Sequence, residues 1–161
     1  MRQRFVMKEK ILIEKAKKAR ERAYAPYSKF KVGAALLAKS GKVYTGANVE
    51  NATFGLTVCA ERVALFKAIT NGEKSFVKIA VVADKDEPIT PCGACRQVLS
   101  EFASDPKDPA SRDLKIICAN LKGKTERYSL RKLLPEAFVK DPVEGGEKFN
   151  KKRSTDTADL S

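Results

Sequence analysis

Apolar positions change from helical to strand spacing early in the chain. Between about residue 6 and residue 23, apolar residues recur every three to four positions beside Lys, Arg and Glu, which predicts an amphipathic helix. Pro26 follows and ends this helical pattern. The apolar runs at 32–38 and 43–47 flank a Lys-Ser-Gly-Lys turn, and this arrangement predicts a β-hairpin.

Helical and strand patterns then alternate through the rest of the chain. The predicted elements are a helix at 58–70, a buried strand at 77–83, a helix that opens at 90–92, a strand at 114–118, a short strand at 124–128 and a short helix at 129–134. This alternation predicts an α/β fold with helices on both faces of a mixed sheet. We therefore expect a three-layer α/β/α sandwich whose central sheet has about five strands.

The length of 161 residues suits one domain that can bury a core. We assign residues 1–140 to this domain. From residue 141 the chain consists mainly of Gly, Lys, Asp, Ser and Thr, which offer little to pack. Residues 141–161 are therefore predicted to form a disordered, basic polar tail.

The formal net charge of +12 raises the question of a nucleic-acid partner. Lys and Arg are spread along the chain, with the densest groups at 2–22 and 148–153, which favours an ordinary solvated surface. Nucleic acid is therefore not an expected partner. The N-terminal segment lacks a sustained apolar run, and no other segment is long and apolar enough to cross a bilayer. We expect a cytoplasmic protein with no membrane partner.

Four cysteines in a chain without histidine restrict a metal site to sulfur and oxygen ligands. Cys59, Cys92 and Cys95 fall at the starts of two predicted helices, where the helix dipole and free N–H groups stabilise thiolate. Two such helix ends side by side would bring three thiolates to one point. Zinc accepts this set and keeps a fourth position for water, so we expect one Zn²⁺ per chain.

Two other uses of these cysteines are open. The Cys-Gly-Ala-Cys spacing also occurs in redox pairs, although no thioredoxin-like strand precedes it here. A structural zinc site would need a further protein ligand, and Cys118 lies alone in an apolar strand, where it is expected to be a buried small hydrophobe. An open site with three thiolates is typical of catalysis.

Two charged residues follow Cys59 in the same helix. Glu61 is placed to move protons for a metal-activated water, although an acid in a first helical turn also simply complements the helix dipole. Arg62 could donate hydrogen bonds to the thiolates and withdraw their charge, or it could be a surface arginine.

Five ordered sequence blocks resemble a known enzyme family. They are APYSKFKVGAALL (25–37), GANVENA (46–52), CAERVALFK (59–67), PCGACRQVL (91–99) and LLPEAF (133–138). The chain resembles the small, homotetrameric cytidine deaminases of the three-cysteine zinc type, within the cytidine and deoxycytidylate deaminase superfamily. The resemblance covers roughly residues 8 to 139.

The resemblance implies hydrolytic deamination of cytidine and 2′-deoxycytidine to uridine and 2′-deoxyuridine plus ammonia, in pyrimidine salvage. Cys59, Cys92 and Cys95 would bind zinc. The implied chemistry is attack of zinc hydroxide on C4 of cytosine, with Glu61 protonating N3 and then the departing ammonia.

The resemblance also implies residues that bind the substrate. Asn48 and Glu50 would hold the ribose 3′-hydroxyl, and because the carboxylate would repel a phosphate, we expect nucleosides rather than nucleotides. The remaining implied contacts are the Phe30 ring in the pyrimidine pocket, the backbone near Ala52 and Ala60 on the base, and the Phe138 ring lent by a neighbouring subunit of a homo-oligomer, expected to be a tetramer. Phe54 departs from the family pattern, where relatives often have tyrosine.

The sequence leaves two alternative functions open. The first is deamination of another aminopyrimidine, either a nucleoside antibiotic or cytosine in nucleic acid. The second is a basic zinc protein that binds nucleic acid without turnover.

Overall fold

The computed structural model describes residues 2–103 and 113–138. Within these ranges the chain forms a five-stranded sheet with the strand order β2-β1-β3-β4-β5. In chain order the elements are α1 (Arg2–Arg20), β1 (Val32–Ala38), β2 (Val43–Ala47), a 3₁₀ turn (Phe54–Leu56), α2 (Ala60–Thr70), β3 (Phe76–Ala83), α3 (Gly93–Phe102), β4 (Lys115–Asn120), β5 (Thr125–Ser129) and α4 (Leu130–Leu133). The predicted tail at 141–161 lies outside the described residues.

The sheet is mixed, as its hydrophobic pattern predicts. β1 pairs with both β2 and β3 in antiparallel register, β3 pairs with β4 in parallel register, and β5 runs antiparallel to β4. β2, β3 and β4 therefore all point the same way. A helix that connects two strands of the same direction must cross over one face of the sheet, which is the role of α2 and α3.

Helices cover both faces of the sheet, which confirms the predicted three-layer α/β/α fold. Alternate strand residues build two cores. Leu12 and Ala16 of α1 pack with Ala35, Ala80 and Ile117 on one face. α2 and α3 cover the other face, where the larger cluster includes Ala64, Leu65, Leu99, Leu36, Ile79, Val81, Ile116 and Cys118.

Some element boundaries differ from the sequence-based prediction. α1 ends at Arg20, earlier than the expected residue 23, and turn residues follow it. α3 begins at Gly93, so Pro91 precedes the helix instead of occupying its first turn. Ser129 caps α4 as predicted, because its hydroxyl accepts a hydrogen bond from the Lys132 backbone N–H at 3.2 Å. In the described part of the chain, no helix combines the length and hydrophobicity needed to cross a membrane.

Close backbone contact holds α2 against β2. A Cβ atom on Gly46 would lie 2.4 Å from the Ala64 backbone nitrogen and 2.5 Å from the Ala60 carbonyl oxygen. Real Cβ atoms do not approach backbone this closely, so only glycine allows this contact. Gly46 therefore helps to set the position of the helix that begins next to Cys59.

We expect Gly46→Ala to destabilise the protein by about 1–3 kcal/mol, because the added methyl group must push α2 away from β2. Urea unfolding monitored by circular dichroism measures this change. Gly55→Ala is the matched control, since nothing lies within 4 Å of a Cβ at that position. Equal stabilities of the two variants would contradict the close packing of α2.

Candidate active site

Three thiols meet where α2 and α3 begin. Because β2 and β3 run in the same direction, the loops that follow them leave the same edge of the sheet, and the N-termini of both helices lie at that edge. Cys59 immediately precedes α2, Cys92 immediately precedes α3, and Cys95 lies in the first turn of α3. Their sulfur atoms all lie within 4.8 Å of one another.

The spacing of the thiols suits a tetrahedral zinc ion. The Sγ atoms of Cys59 and Cys92 are 3.9 Å apart. Zinc–sulfur bonds of about 2.3 Å at tetrahedral angles separate two sulfur ligands by about 3.8 Å. The three residues predicted to bind zinc are therefore close to a ligating arrangement. A search of the described residues for clusters of metal-binding side chains identifies these three cysteines.

The pKa values of Cys59 and Cys95 are shifted in opposite directions. A hydrogen bond from Cys95 lowers the pKa of Cys59 to about 5, and the same interaction raises the pKa of Cys95. Arg62 contributes, because its Nη2 donates to the Cys59 sulfur at 3.5 Å and to the Thr57 carbonyl oxygen at 3.3 Å. The thiol at the start of α2 is thus a thiolate at neutral pH, the form that binds a metal.

Glu61 lies in the first turn of α2 and is only 4% exposed. Burial, with a smaller contribution from the negative charge of Cys59, raises the pKa of its carboxyl group to about 7. The charge of Glu61 also raises the pKa of Cys95. A buried carboxyl group that titrates near neutral pH beside a thiol cluster has the properties of a proton carrier.

Cys118 has a different environment. It lies in β4, fully buried in the larger core, and burial raises its pKa to about 12. Its expected role as a buried small hydrophobe is confirmed.

Hydrogen bonds connect the segment from Asn48 to Glu50 with the turn before β1 and with the start of β1. The Asn48 side chain accepts a hydrogen bond from the Val32 N–H at 2.8 Å and donates to the Phe30 carbonyl oxygen at 2.9 Å. Oε2 of Glu50 accepts from the backbone N–H groups of Tyr27 and Ser28 at 3.0 and 3.2 Å. Oε1 accepts from the Ser28 hydroxyl, and this bond lowers the pKa of Glu50.

A short antiparallel bridge connects this segment to the thiol cluster. The backbone N–H of Val49 donates to the Val58 carbonyl oxygen at 2.9 Å, and the Val58 N–H donates back to Val49 at 2.9 Å. Val58 directly precedes Cys59. The structure therefore brings Asn48 and Glu50 close in the fold to the start of α2.

The other predicted site residues differ in exposure. Phe30 is half-buried against the larger core, and Lys85 Nζ lies 5.1 Å from the centre of its ring. Ala60 is buried, Ala52 is exposed, and Phe138 is 75% exposed. Phe54, the departure from the family pattern, is exposed and packs edge-on against Tyr27.

Sequence reasoning missed three residues that hold the site together. Ser28 binds Glu50, and Gln97 binds the backbone of Phe138 through both atoms of its amide. Arg96 binds the Pro91 carbonyl oxygen, the Thr90 hydroxyl and the Leu133 carbonyl oxygen. All three lie inside the quoted blocks, but their partners are between 5 and 41 residues away in sequence, and no local pattern indicates them.

A family model described as the cytidine and deoxycytidylate deaminase zinc-binding region matches residues 7–107. This match spans more than half of the chain and includes all three clustered cysteines. The chain belongs to the cytidine deaminase family. The family inferred from the sequence blocks is thereby confirmed.

Curated relatives agree with this family assignment. The chain is 52% identical to the cytidine deaminase of Sporosarcina psychrophila over 132 residues, which cover 82% of this chain and 92% of that protein. It is also 52% identical to the cytidine deaminase of Halalkalibacterium halodurans over 137 residues, or 85% and 98% of the two chains. Identity to the blasticidin-S deaminase of Bacillus cereus is 29% over 122 residues, or 71% and 81%.

Solved structures of the cytidine deaminase family share the fold. The cytidine deaminase of Burkholderia pseudomallei superposes with a TM-score of 0.72 at 51% identity, covering 80% of this chain and 97% of that chain. The cytidine deaminase of Mycobacterium tuberculosis gives a TM-score of 0.66 at 37% identity, covering 81% and 96%.

Proposed function

We propose that this protein hydrolyses cytidine and 2′-deoxycytidine to uridine and 2′-deoxyuridine, with release of ammonia, in pyrimidine salvage. The observation that carries the proposal is a cluster of three thiols beside Glu61, a buried carboxyl group whose pKa is raised to about 7. The relatives named cytidine deaminase support this substrate, since they are far more similar to this chain than the blasticidin-S deaminase is.

Cys59, Cys92 and Cys95 would hold one Zn²⁺ per chain. When bound, this ion supplies the Lewis acidity that activates a water molecule for attack on the pyrimidine ring. Arg62 donates to the Cys59 sulfur and so offsets part of the negative charge that three thiolates bring to the ion.

Glu61 moves the protons. A carboxyl group with a pKa near the working pH can both accept and return a proton in one reaction cycle. Glu61 accepts one proton of the attacking water and delivers it to N3 of the ring. It then accepts the second proton of that water, from the hydroxyl group now on C4, and delivers it to the departing amino group, which leaves as ammonia.

Asn48 and Glu50 bind the 3′-hydroxyl of the sugar. Glu50 stays ionised at neutral pH, because the hydrogen bond from Ser28 lowers its pKa. A carboxylate is a strong acceptor for a sugar hydroxyl and repels a phosphate, which favours nucleosides over nucleotides. The Phe30 ring contacts the pyrimidine, and the backbone of Ala52 and Ala60 binds its polar edge.

The active form is a homotetramer in which Phe138 completes the substrate pocket of a neighbouring subunit. An exposed ring is available for this purpose, because 75% of Phe138 is exposed on one subunit. The protein acts in the cytoplasm.

The direct test is the loss of cytidine absorbance, measured together with ammonia release and zinc content on the purified protein. We expect turnover of cytidine and deoxycytidine with about one zinc per chain. Cytidine monophosphate, blasticidin S and a cytosine-containing single-stranded oligonucleotide are the comparison substrates. Faster turnover of any of these, or salt-dependent oligonucleotide binding with no ammonia release, would contradict the proposed function.

We expect Glu50→Ala to raise KM for cytidine about 10- to 100-fold, because a hydrogen bond to a charged group is lost. The same variant should no longer distinguish cytidine from 3′-deoxycytidine, which lacks the hydroxyl. Steady-state kinetics on both nucleosides measure this loss of discrimination.

Two control variants separate sugar binding from local structure. Ser28→Ala removes the hydroxyl that holds Glu50 but keeps the carboxylate, so discrimination between the two nucleosides should persist. Glu73→Ala removes an acid that binds Ser40 and Tyr44, and it should leave KM unchanged. Retained discrimination in Glu50→Ala would show that this carboxylate does not bind the 3′-hydroxyl.

A further inference from the structure

The side chain of Gln97 uses both atoms of its amide on the backbone of one residue. Nε2 donates to the Phe138 carbonyl oxygen at 2.8 Å, and Oε1 accepts from the Phe138 backbone N–H at 3.1 Å. Two hydrogen bonds in opposite directions fix the position of the peptide units and also their orientation. The direction in which the Phe138 side chain leaves the backbone is therefore set by Gln97.

Arg96 holds the same segment at its other end. Its Nη1 donates to the Leu133 carbonyl oxygen at 3.0 Å, while Nε and Nη2 bind Pro91 and Thr90 in the loop before Cys92. Residues 133–138 are thus attached at both ends to α3. This helix also carries Cys95 in its first turn.

The Phe138 ring is exposed to solvent, although the backbone of this residue is held by two hydrogen bonds. It is 75% exposed, and among the large hydrophobic side chains whose burial the structure describes only Phe54, at 74%, is comparably exposed. A phenylalanine gains stability mainly by burying its ring, so two hydrogen bonds that hold the ring in solvent bring little benefit to a lone subunit. The arrangement is useful if the ring enters a second copy of the chain.

We propose that Gln97 is a positioning residue that orients the Phe138 ring for the substrate pocket of a neighbouring subunit. This inference rests on the proposed function, in which Phe138 completes that pocket. In this proposal Gln97 acts in trans, because replacing Gln97 impairs the site of the neighbouring subunit. Replacing Cys95, two residues earlier on the same helix, instead impairs the subunit's own site.

We expect Gln97→Ala to raise KM for cytidine about 10-fold through the loss of two hydrogen bonds, with zinc content unchanged and kcat much less affected. In a Phe138→Ala background, the same substitution should change KM no further, because the ring that Gln97 orients is already absent. A further rise in KM in that background would show that Gln97 acts through something other than Phe138.

Mixed oligomers of differently tagged chains test the action in trans. In hybrids of Gln97→Ala with Glu61→Gln chains, only the Gln97→Ala chains keep Glu61, so the reactive sites belong to them. A neighbouring Glu61→Gln chain keeps Gln97 and therefore supplies a correctly oriented Phe138 ring to such a site. We expect these sites to recover the wild-type KM. Hybrids of Gln97→Ala with Glu61→Gln/Gln97→Ala chains are the matched control and should keep the raised KM.

A raised KM that persists equally in both hybrids would overturn the proposal, because Gln97 would then act within its own subunit. A wild-type KM for the Gln97→Ala protein would also overturn it. If Gln97→Ala fails to fold, Gln97→Glu serves in the same hybrids, since it keeps the acceptor for the Phe138 N–H and loses only the donor.

The controls separate this inference from the proposed function. A wild-type protein that releases no ammonia from cytidine would contradict the function itself and the inference with it. A wild-type KM for Phe138→Ala in an active protein would contradict the role of Phe138, and with it that of Gln97. A raised KM for Phe138→Ala with a wild-type KM for Gln97→Ala would overturn the Gln97 proposal alone.

Discussion

Replacing Glu61 with glutamine is expected to lower kcat for cytidine by about 10²- to 10⁴-fold, which is the usual contribution of a positioned proton-transfer group. The amide has the shape of the carboxyl group but can neither accept the proton of the attacking water nor return one to the ring. Steady-state assays of ammonia release measure this loss of kcat, and metal analysis of the same samples measures their zinc content.

The variant should remain folded and keep its zinc. Glu61 is 4% exposed, and burial raises its pKa to about 7, so the site already tolerates the neutral form of this side chain. Glu101→Gln, at an exposed position of α3, is the control for the removal of one negative charge and should retain full activity. Normal turnover in Glu61→Gln, or loss of its zinc, would be inconsistent with the proton-carrier role.

Replacing Cys92 with serine is expected to remove both zinc and activity. The expected loss of turnover is at least as large as that of Glu61→Gln, which is about 10²- to 10⁴-fold. Cys92 is the exposed member of the thiol cluster, so a hydroxyl at this position costs little in burial. Its sulfur lies 3.9 Å from that of Cys59, within the distance that a shared zinc ion requires. Metal analysis after gel filtration, together with the activity assay, measures the outcome.

Cys118→Ala provides the matched control, because it also removes one thiol but from the core of the sheet. It should keep its zinc and lose only some stability. Removing zinc from the wild-type protein with a chelator should reproduce the inactivity of Cys92→Ser. Added Zn²⁺ should then restore the activity of the wild-type protein but not that of Cys92→Ser. Full zinc content in Cys92→Ser would rule out this cysteine as a ligand.

Much of the fold could be predicted because secondary structure depends on local periodicity. The nearly continuous apolar runs of Val32–Ala38 and Phe76–Ala83 and the helical spacing in Ala60–Thr70 each indicate their element without reference to the rest of the chain. Helix ends were harder to predict. The α1 pattern continues past Arg20, and Pro91 is compatible with a first helical turn, yet the structure begins α3 at Gly93.

The sequence alone was enough to predict the order of helices and strands, the family, and the three cysteines and Glu61 as candidate metal-binding and catalytic residues, because each follows from residue type, spacing or a contiguous motif. The contacts between distant groups depend on the tertiary structure. The common direction of β2 and β3 brings Cys59 to Cys92, and burial behind the sheet edge raises the pKa of Glu61. Gln97 meets Phe138 across 41 positions. Such contacts depend on strand order and helix packing, which a local sequence pattern does not contain.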